Sequence, residues 1–455
     1  MSVGQTAYPR LSRGGADLLA LGFGTAVTMW AVAYLCRLPA VVAPSPLLMS
    51  LLLACLVGGG FIAGRHTERG VRGGLFTGLL AGFLNLLVLG SLLSGERPNQ
   101  LVPSALWWIL GSIALAAGLG ALGAALGRRV GRPGRVLVDW TAIFVRVAGV
   151  ATLLLLVVGG LVTSSDSGLA VVDWPNSFGY NMFLYPLSRM TGGVYYEHAH
   201  RLFGSLVGLT TLVLTLHLRR VDERLWVRRL AVAALAMVIV QGILGGLRVT
   251  GRFTLSSSRD AVLPNIHLAV IHAVLGQVFF APLAALSAFT SSTWKSAKPP
   301  VVKPSTSVDR ALGVVLVGAL VVQLVLGAFQ RHMASGLLIH VTLAVLVSVL
   351  AIACGVRAWG LNRGEPILRR TGVGLMLVTQ CQLLFGVGAL IATSGSGVLS
   401  RGTEVMITTA HQATGAILLA FGVLISSWNH RLLQPEGSRT RGPQRPVPTS
   451  REPSS

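Results

Sequence analysis

Charged side chains are scarce in this chain, and their scarcity sets the class of protein. Only 11% of the 455 residues are charged and 53% are apolar, whereas soluble domains carry about 25% charged residues. This composition excludes a soluble globular enzyme. Apolar runs of about 20 residues recur along the chain, each long enough to cross the hydrocarbon core of a bilayer. The composition therefore predicts a polytopic helical membrane protein.

Cysteine is also rare, and its placement excludes two kinds of site. The four cysteines lie inside apolar runs, with no CxxC pair: Cys36, Cys55, Cys354 and Cys381. Neither a disulfide framework nor a zinc site follows from that pattern. The polar N-terminus is followed by an apolar run without a small-residue cleavage signature, so we expect no removable signal peptide.

The apolar runs predict an all-α fold of twelve membrane spans. Four spans are expected near residues 16–36, 44–63, 73–93 and 102–127. Eight more are expected near residues 143–162, 199–217, 228–247, 262–289, 311–329, 337–356, 371–392 and 405–428.

Two polar segments divide these spans into groups. RRVGRPGR at 128–135 and WKSAKPPVVKPSTSVDR at 294–310 are rich in proline, glycine and basic residues, which is typical of loops and linkers. We therefore expect a four-span extension at 1–135, a first four-helix half at 136–293, a cytoplasmic linker at 294–310, a second four-helix half at 311–432, and a disordered cytoplasmic tail at 433–455.

The net charge of +22 raises the question of a nucleic-acid partner, and the positions of the basic residues answer it. With both termini inside, about three quarters of the 37 Lys and Arg residues fall in inner segments, the bias that orients membrane proteins. The basicity is thus an orientation signal with contact to anionic lipid, and no nucleic-acid partner is expected.

A degenerate internal repeat supports two pseudo-symmetric four-helix bundles. QGILGGLR at 241–248, QLVLGAFQR at 323–331 and QLLFGVGA at 382–389 each close a span at its outer end, and LLVVGGLV at 155–162 is a weaker copy. Each copy precedes an outer loop and then a span with a histidine near its start. This is the pattern of a duplicated bundle forming an eight-helix core.

Four histidines recur at matched depth in these hairpins. His200, His340 and His411 lie roughly 17 to 19 residues from the inner end of their spans, about 25 to 28 Å at helical rise, and His272 fits that level better than His267. Histidine within an apolar span is costly and is a common axial ligand of heme iron. Any one could be a helix-end histidine, but four at one level favour two pairs: His200 with His272, and His340 with His411. We expect His267 and His332 to be structural or interfacial, and His198 stays open.

The strongest local motif is ExxHRxxG, formed by Glu197, His200, Arg201 and Gly204 at the outer start of a span. Glu197 and His200 are three residues apart and share a helix face. With GGLVTSSDSGLAVVDWP at 159–175, QGILGGLRV, IHAVLGQ, QLVLGAFQRH and AHQATGAILLA in order, residues of about 140–430 resemble the heme A synthase family.

The resemblance implies an enzyme, an oxidoreductase that converts the ring-D methyl group of heme O to a formyl group, giving heme A for cytochrome oxidase. It implies that His200 and His272 ligate the substrate heme O, that His340 and His411 ligate a heme b cofactor, and that Glu197 is the catalytic acid beside the reacting methyl. Glu197 could instead simply favour the positive end of the helix dipole.

Two further residues are candidates for contact with the heme. Arg201 could pair with a propionate or anchor the helix at the interface, and Trp174 could cover the heme edge or belong to an ordinary turn. The resemblance also points to heme O synthase and cytochrome oxidase assembly proteins as candidate partners, and to a plasma-membrane location with both heme sites towards the outer face.

Two departures and two alternatives accompany this resemblance. Some members of the family carry a cysteine pair in the outer loop, but residues 163–196 contain none, so no disulfide-dependent step is expected. Residues 1–135 have no counterpart and supply no ligand, which favours a role in packing or in contact with a partner. A di-heme b-type cytochrome would use the same four histidines without modifying heme but gives Glu197 no role. A transporter built from repeats leaves the matched histidine depth unexplained.

Overall fold

The computed structural model describes residues 15–95, 97–131, 138–251, 265–297, 299–394 and 399–436. Within these ranges eleven helices are long and apolar enough to cross a membrane, and a bent helix pair can form a twelfth span. The predicted all-α polytopic fold is confirmed, and the span count agrees with the twelve expected from the sequence.

The N-terminal extension contains five helices: α1 (Ala16–Cys36), α2 (Ser45–His66), α3 (Val71–Leu84), α4 (Leu86–Leu92) and α5 (Ala105–Arg129). Helices α3 and α4 are the bent pair, with 52° between them. The sequence predicted one continuous span here. At the break, the Asn85 side chain accepts a hydrogen bond from Trp30 Nε1 at 3.0 Å and approaches Met29 Sδ at 3.4 Å.

Glycine allows the helices of the extension to pack backbone to backbone. A Cβ atom on Gly60 of α2 or on Gly74 of α3 would collide with the carbonyl oxygen of Gly120 in α5. Small residues at such crossings replace the hydrophobic driving force that is missing between helices in lipid. The predicted packing role of these glycines is therefore met within the extension itself.

The core has two four-helix halves. The first contains α6 (Trp140–Ser164), α7 (Gly192–Val221), α8 (Leu225–Thr250) and α9 (Ile266–Phe289). After the short helix α10 (Ser292–Lys295), the second contains α11 (Thr306–Met333), α12 (Leu337–Leu361), α13 (Pro366–Thr393) and α14 (Arg401–Leu432). Polar N-caps begin several of these helices: Asp139 accepts from Ala142 N, and Ser400 accepts from Thr403 N.

Short strands occur in the outer loop and at the inner face. In the outer loop, β1 (Asn176–Ser177) pairs antiparallel with β2 (Tyr180–Asn181). At the inner face, β3 (Val301–Lys303) pairs in parallel with β4 (Leu433–Pro435). Order thus extends three residues into the segment expected to be a disordered tail, and α11 begins inside the expected linker. Residues 437–455 lie outside the described residues.

The extension packs on the first half of the core. Its hydrophobic core is continuous with that of α6 to α9, whereas a separate core fills the second half. Tyr34 stacks on Tyr195 with ring centres 5.4 Å apart, and the Tyr195 hydroxyl donates to the Tyr34 carbonyl at 2.7 Å. Trp30 meets Phe203 edge to face at 5.5 Å. Helices α6 and α9 then contact α14, and α9 also contacts α11, to join the two halves.

Candidate functional site

The structure brings together the two histidines expected to form the first pair. His200 on α7 and His272 on α9 face each other with ring centres 6.3 Å apart and ring planes at 87°. His267, five residues before His272, is exposed at the start of α9. Residues five apart on a helix point about 140° away from each other, so only one of the two histidines can face His200.

The second half repeats this arrangement. His340 on α12 and His411 on α14 have ring centres 6.4 Å apart and ring planes at 85°. The two pairs thus share spacing and ring angle although different helices supply them. This likeness follows from the duplication of the four-helix unit.

Each histidine packs on a glycine of the neighbouring helix. A Cβ atom on the glycine would stand 2.9 Å from Cε1 of His200 at Gly159, 3.2 Å from that of His272 at Gly245, and 3.1 Å from those of His340 and His411 at Gly327 and Gly386. These are the glycines of the four repeat copies. The repeat therefore conserves a surface on which an imidazole ring can lie.

Three of these glycines are preceded, four residues earlier, by a glutamine. Each glutamine makes a hydrogen bond to the helix that carries the neighbouring histidine. Gln241 Nε2 donates to the main-chain oxygen of His272 at 3.0 Å, and Gln323 Nε2 donates to that of His340 at 2.9 Å. Gln382 instead accepts from the Thr414 hydroxyl, one turn after His411. In the weaker copy Leu155 takes the place of the glutamine.

The spacing of the pairs fits an iron atom between two imidazoles. With a metal–nitrogen bond of about 2 Å and about 1.2 Å from ring nitrogen to ring centre, opposed imidazole ligands would have ring centres about 6.4 Å apart. In His200, His272 and His411 the Nδ1 atom is buried and makes no hydrogen bond. Among the described residues no group of three or more His, Cys, Asp or Glu could hold a metal ion. A porphyrin iron would need only two axial histidines from the protein, because the macrocycle supplies its other ligands.

Glu197 and Arg201 form a buried ion pair above the first histidine pair. Arg201 Nη2 lies 2.9 Å from Glu197 Oε1, and Glu197 Oε2 accepts from the main-chain nitrogen of Val171 at 3.1 Å. Only 4% of Glu197 is exposed. The second half has no counterpart, since Leu337 and Thr408 stand three residues before its histidines.

The terminal nitrogens of Arg201 are engaged by the outer loop. Nη1 donates to the carbonyls of Asp173 at 2.6 Å and Asn176 at 2.9 Å, and Nη2 also donates to that of Val171 at 2.9 Å. Both η nitrogens thus donate hydrogen bonds to oxygen atoms of the protein. The sequence offered a heme propionate or the membrane interface as the partner of Arg201, and the structure gives it the loop instead.

The outer loop between α6 and α7 lies over the first site. Trp174 packs so closely on Gly246 that a Cβ atom there would collide with its indole ring. Asp173 shapes the next turn, accepting from Phe178 N at 2.7 Å and Gly179 N at 2.8 Å. Gly246 follows Gly245, which packs on His272, so Trp174 lies beside that ligand candidate. In the second half α11 and α12 are joined by only three residues, 334–336.

The other notable histidines do not join either pair. His198 is fully buried and lies 3.0 Å from the Ser177 hydroxyl through Nδ1, with the Tyr185 ring centre 5.0 Å away. It thus packs under the outer loop. His332 is partly buried at the end of α11.

Three contacts that the sequence analysis did not predict complete the site. Arg248, in the last turn of α8, packs on Gly168 of the outer loop. Asp166, at the outer end of α6, pairs with Arg331 at 3.4 Å and with Arg401. Of the three, only Arg248 left a signal in the sequence, because the other repeat copies carry no basic residue at its position.

Comparison with known proteins finds one family match. Residues 142–339 match the COX15-CtaA family model, which describes a cytochrome oxidase assembly protein. The match confirms the family resemblance over these residues, which run from α6 into α12, and implicates the chain in cytochrome oxidase assembly. A comparison with curated proteins finds no match.

Proposed function

We propose that this protein, whose core is related to cytochrome oxidase assembly proteins, is a heme A synthase that oxidises the ring-D methyl group of heme O to a formyl group. The observation that carries the proposal is an asymmetry. The two histidine pairs are nearly identical in geometry, but within the described ranges only the first has a buried glutamate three residues before a histidine, together with Arg201 and Arg248 and the long loop between α6 and α7.

The residues of both sites suit the hemes that the proposal requires. His200 and His272 would hold the iron of the substrate, and His340 and His411 that of a resident heme b. Bound heme b would supply one-electron redox chemistry next to the reaction site. This division assigns the pair with acid–base groups to the substrate and the pair without them to the cofactor.

Glu197 is the group proposed to move protons. With water as the oxygen source, conversion of the methyl group to a formyl group releases four protons and passes four electrons to an external oxidant, and a carboxylate within a desolvated site can accept a proton or stabilise positive charge on the substrate. Glu197 lies one helical turn before His200, about 5–6 Å between their Cβ atoms. Arg201 positions this carboxylate, because it joins Glu197 to the loop carbonyls that cover the site.

The covering loop is proposed to exclude water from the first site. Trp174, packed on Gly246, would border the substrate, and the buried Glu197–Arg201 pair closes the loop onto α7. Exclusion of water strengthens each electrostatic contact inside the site. We propose a plasma-membrane location with cytoplasmic termini and outward-facing heme sites, with heme O synthase and oxidase assembly proteins as partners.

Identification of the hemes made and bound by the protein tests the proposal. The full chain is produced in cells that make heme O but lack a heme A synthase, and the extracted hemes are separated by chromatography. Heme A should appear with the intact chain and not with an empty vector. Hemes B and O without heme A would contradict the proposal and favour the di-heme cytochrome, which the near-identity of the two pairs also suits.

A further inference from the structure

We propose that Arg248 binds a propionate carboxylate of the porphyrin held between His200 and His272, and so fixes which edge of that porphyrin meets Glu197. The inference rests on the proposed function, which supplies the porphyrin.

Arg248 lies beside the outer loop that covers the first site. Its guanidinium packs on Gly168 of the outer loop so closely that a Cβ atom on this glycine would collide with the guanidinium. The outer loop therefore covers the Arg248 side chain. Its charge interacts with those of Glu197 and Arg201. It also acts on the imidazoles of His200 and His272. The guanidinium is within electrostatic reach of Glu197, His200 and His272, and Arg248 stands one turn after Gly245, the residue on which His272 packs.

The guanidinium of Arg248 has no acceptor within the described part of the chain, where every ion pair and side-chain hydrogen bond of the site involves other groups. Arg201, four residues after Glu197, forms the ion pair with the Glu197 carboxylate and also donates to loop carbonyls. Even partial burial of a guanidinium that has no protein acceptor carries a desolvation cost. A carboxylate that fits its planar fork removes this cost through two parallel charged hydrogen bonds.

The position of Arg248 is specific to the first site. It follows by three residues the glycine on which His272 packs, so it projects from the same face of α8 one turn nearer the outer end. The corresponding residues in the other three copies are Val162, Gln330 and Ala389. None of them carries a charge, so Arg248 has no basic counterpart at this repeat position.

A carboxylate held at Arg248 explains how the reacting group is selected. On ring D of heme O the methyl group is adjacent to a propionate side chain. Because Arg248 and Glu197 are near each other, binding of that propionate brings the ring-D methyl towards Glu197. The other ring methyls are then turned away from the carboxylate.

The experiment compares two porphyrins that differ only in these carboxylates. The full-length chain with His340→Ala, so that only the first pair can take iron between two imidazoles, is prepared without heme in detergent. Ferric protoporphyrin IX and its dimethyl ester are titrated separately, with low-spin absorption as the signal. The chain with Arg248 should bind the free acid roughly 10- to 100-fold more tightly than the diester, the effect of a charged bidentate contact.

Three variants make the result specific. Arg248→Gln should lose the preference for the free acid while binding the diester as before, and Arg248→Lys should keep part of it. Arg189 is an exposed arginine of the outer loop between α6 and α7. Arg189→Gln is therefore the matched control and should change neither affinity. The inference is overturned if the chain with Arg248 does not distinguish the two porphyrins, or if Arg248→Gln weakens both equally. Failure to bind either porphyrin between histidines would instead contradict the proposed function.

Discussion

Gly245 and His272 are packed so closely that a Cβ atom on the glycine would stand 3.2 Å from Cε1 of the imidazole. The same relationship occurs at each of the four paired histidines. The backbone of one helix therefore sets the position of a side chain on the next, and a substitution can displace an imidazole without removing it.

Gly245→Val should disturb the first histidine pair although both histidines remain. The added methyl groups force the His272 ring to move, which should lower heme occupancy of the first pair severalfold and leave the second pair filled. The measurement is the amount of each extracted heme per protein. Gly242→Val on the same helix is the control, because a Cβ atom there meets nothing within 4 Å. Equal heme loss in both variants would contradict the packing explanation.

Replacement of single histidines should separate the two sites. His340→Ala or His411→Ala should deplete heme B, whereas His200→Ala or His272→Ala should chiefly remove the farnesylated heme, because the pairs lie in different halves. Chromatography of extracted hemes from folded, purified protein gives the result. Equal loss of both pigments in all four variants would refute this division.

Glu197→Gln should stop heme A formation while heme binding persists. The amide keeps the size of the side chain and can still accept from Val171 N, but it cannot take up a proton. Because Arg201 loses a buried partner, we also expect the protein to lose about 1–3 kcal/mol of stability. Product analysis should find heme O or its hydroxylated form. Unchanged heme A yield would make Glu197 a structural residue and favour the cytochrome.

That result is interpretable only beside a variant that weakens the loop without touching the carboxylate. Ser177→Ala removes the hydroxyl that lies 3.0 Å from His198 Nδ1 and leaves the Glu197–Arg201 pair intact. It should cost about 1 kcal/mol of stability and still yield heme A. A loss of product equal to that in Glu197→Gln would point to loop order, not proton transfer.

A chain starting at Val136 should bind both hemes but make heme A more slowly. The extension supplies no heme ligand, so heme binding should not require it. In the structure it also holds the covering loop: Asn99 Oδ1 accepts from Asn181 N at 2.6 Å, and the Ser91 hydroxyl donates to the Phe183 carbonyl at 3.3 Å. We expect a severalfold lower rate at unchanged heme content, measured in membranes with equal protein. A full rate would show that these contacts do not matter for turnover.

Long apolar runs and histidine depth made the spans and the pairs predictable. Both depend on features local to one helix, namely its length and the distance of a residue from its end. The same depth argument chose His272 over His267, and the structure brings His272 opposite His200. The helix break at Asn85 was missed because one amide within an apolar run hardly changes its hydropathy.

The partners of the arginines could not be predicted in the same way. Arg201 finds its acceptors on loop carbonyls, and their positions depend on how the whole outer loop folds. Arg248 could have been noticed as the only basic residue at its repeat position, but its contact with Gly168 requires the fold. The docking of Tyr34 on Tyr195 likewise joins residues from distant parts of the chain.

Helix α6 contributes no histidine, yet two consecutive glycines on it contact the two sites. Gly159 packs on His200, while a Cβ atom on the next residue, Gly160, would stand 3.1 Å from Thr409 and 3.5 Å from Gln412, the residue after His411. Electron tunnelling between the proposed hemes then has to cross little more than one helix, which is about 10 Å wide. If the proposed division of the hemes holds, an external oxidant would need to reach only the second half, and the substrate could be oxidised while it stays under the loop between α6 and α7.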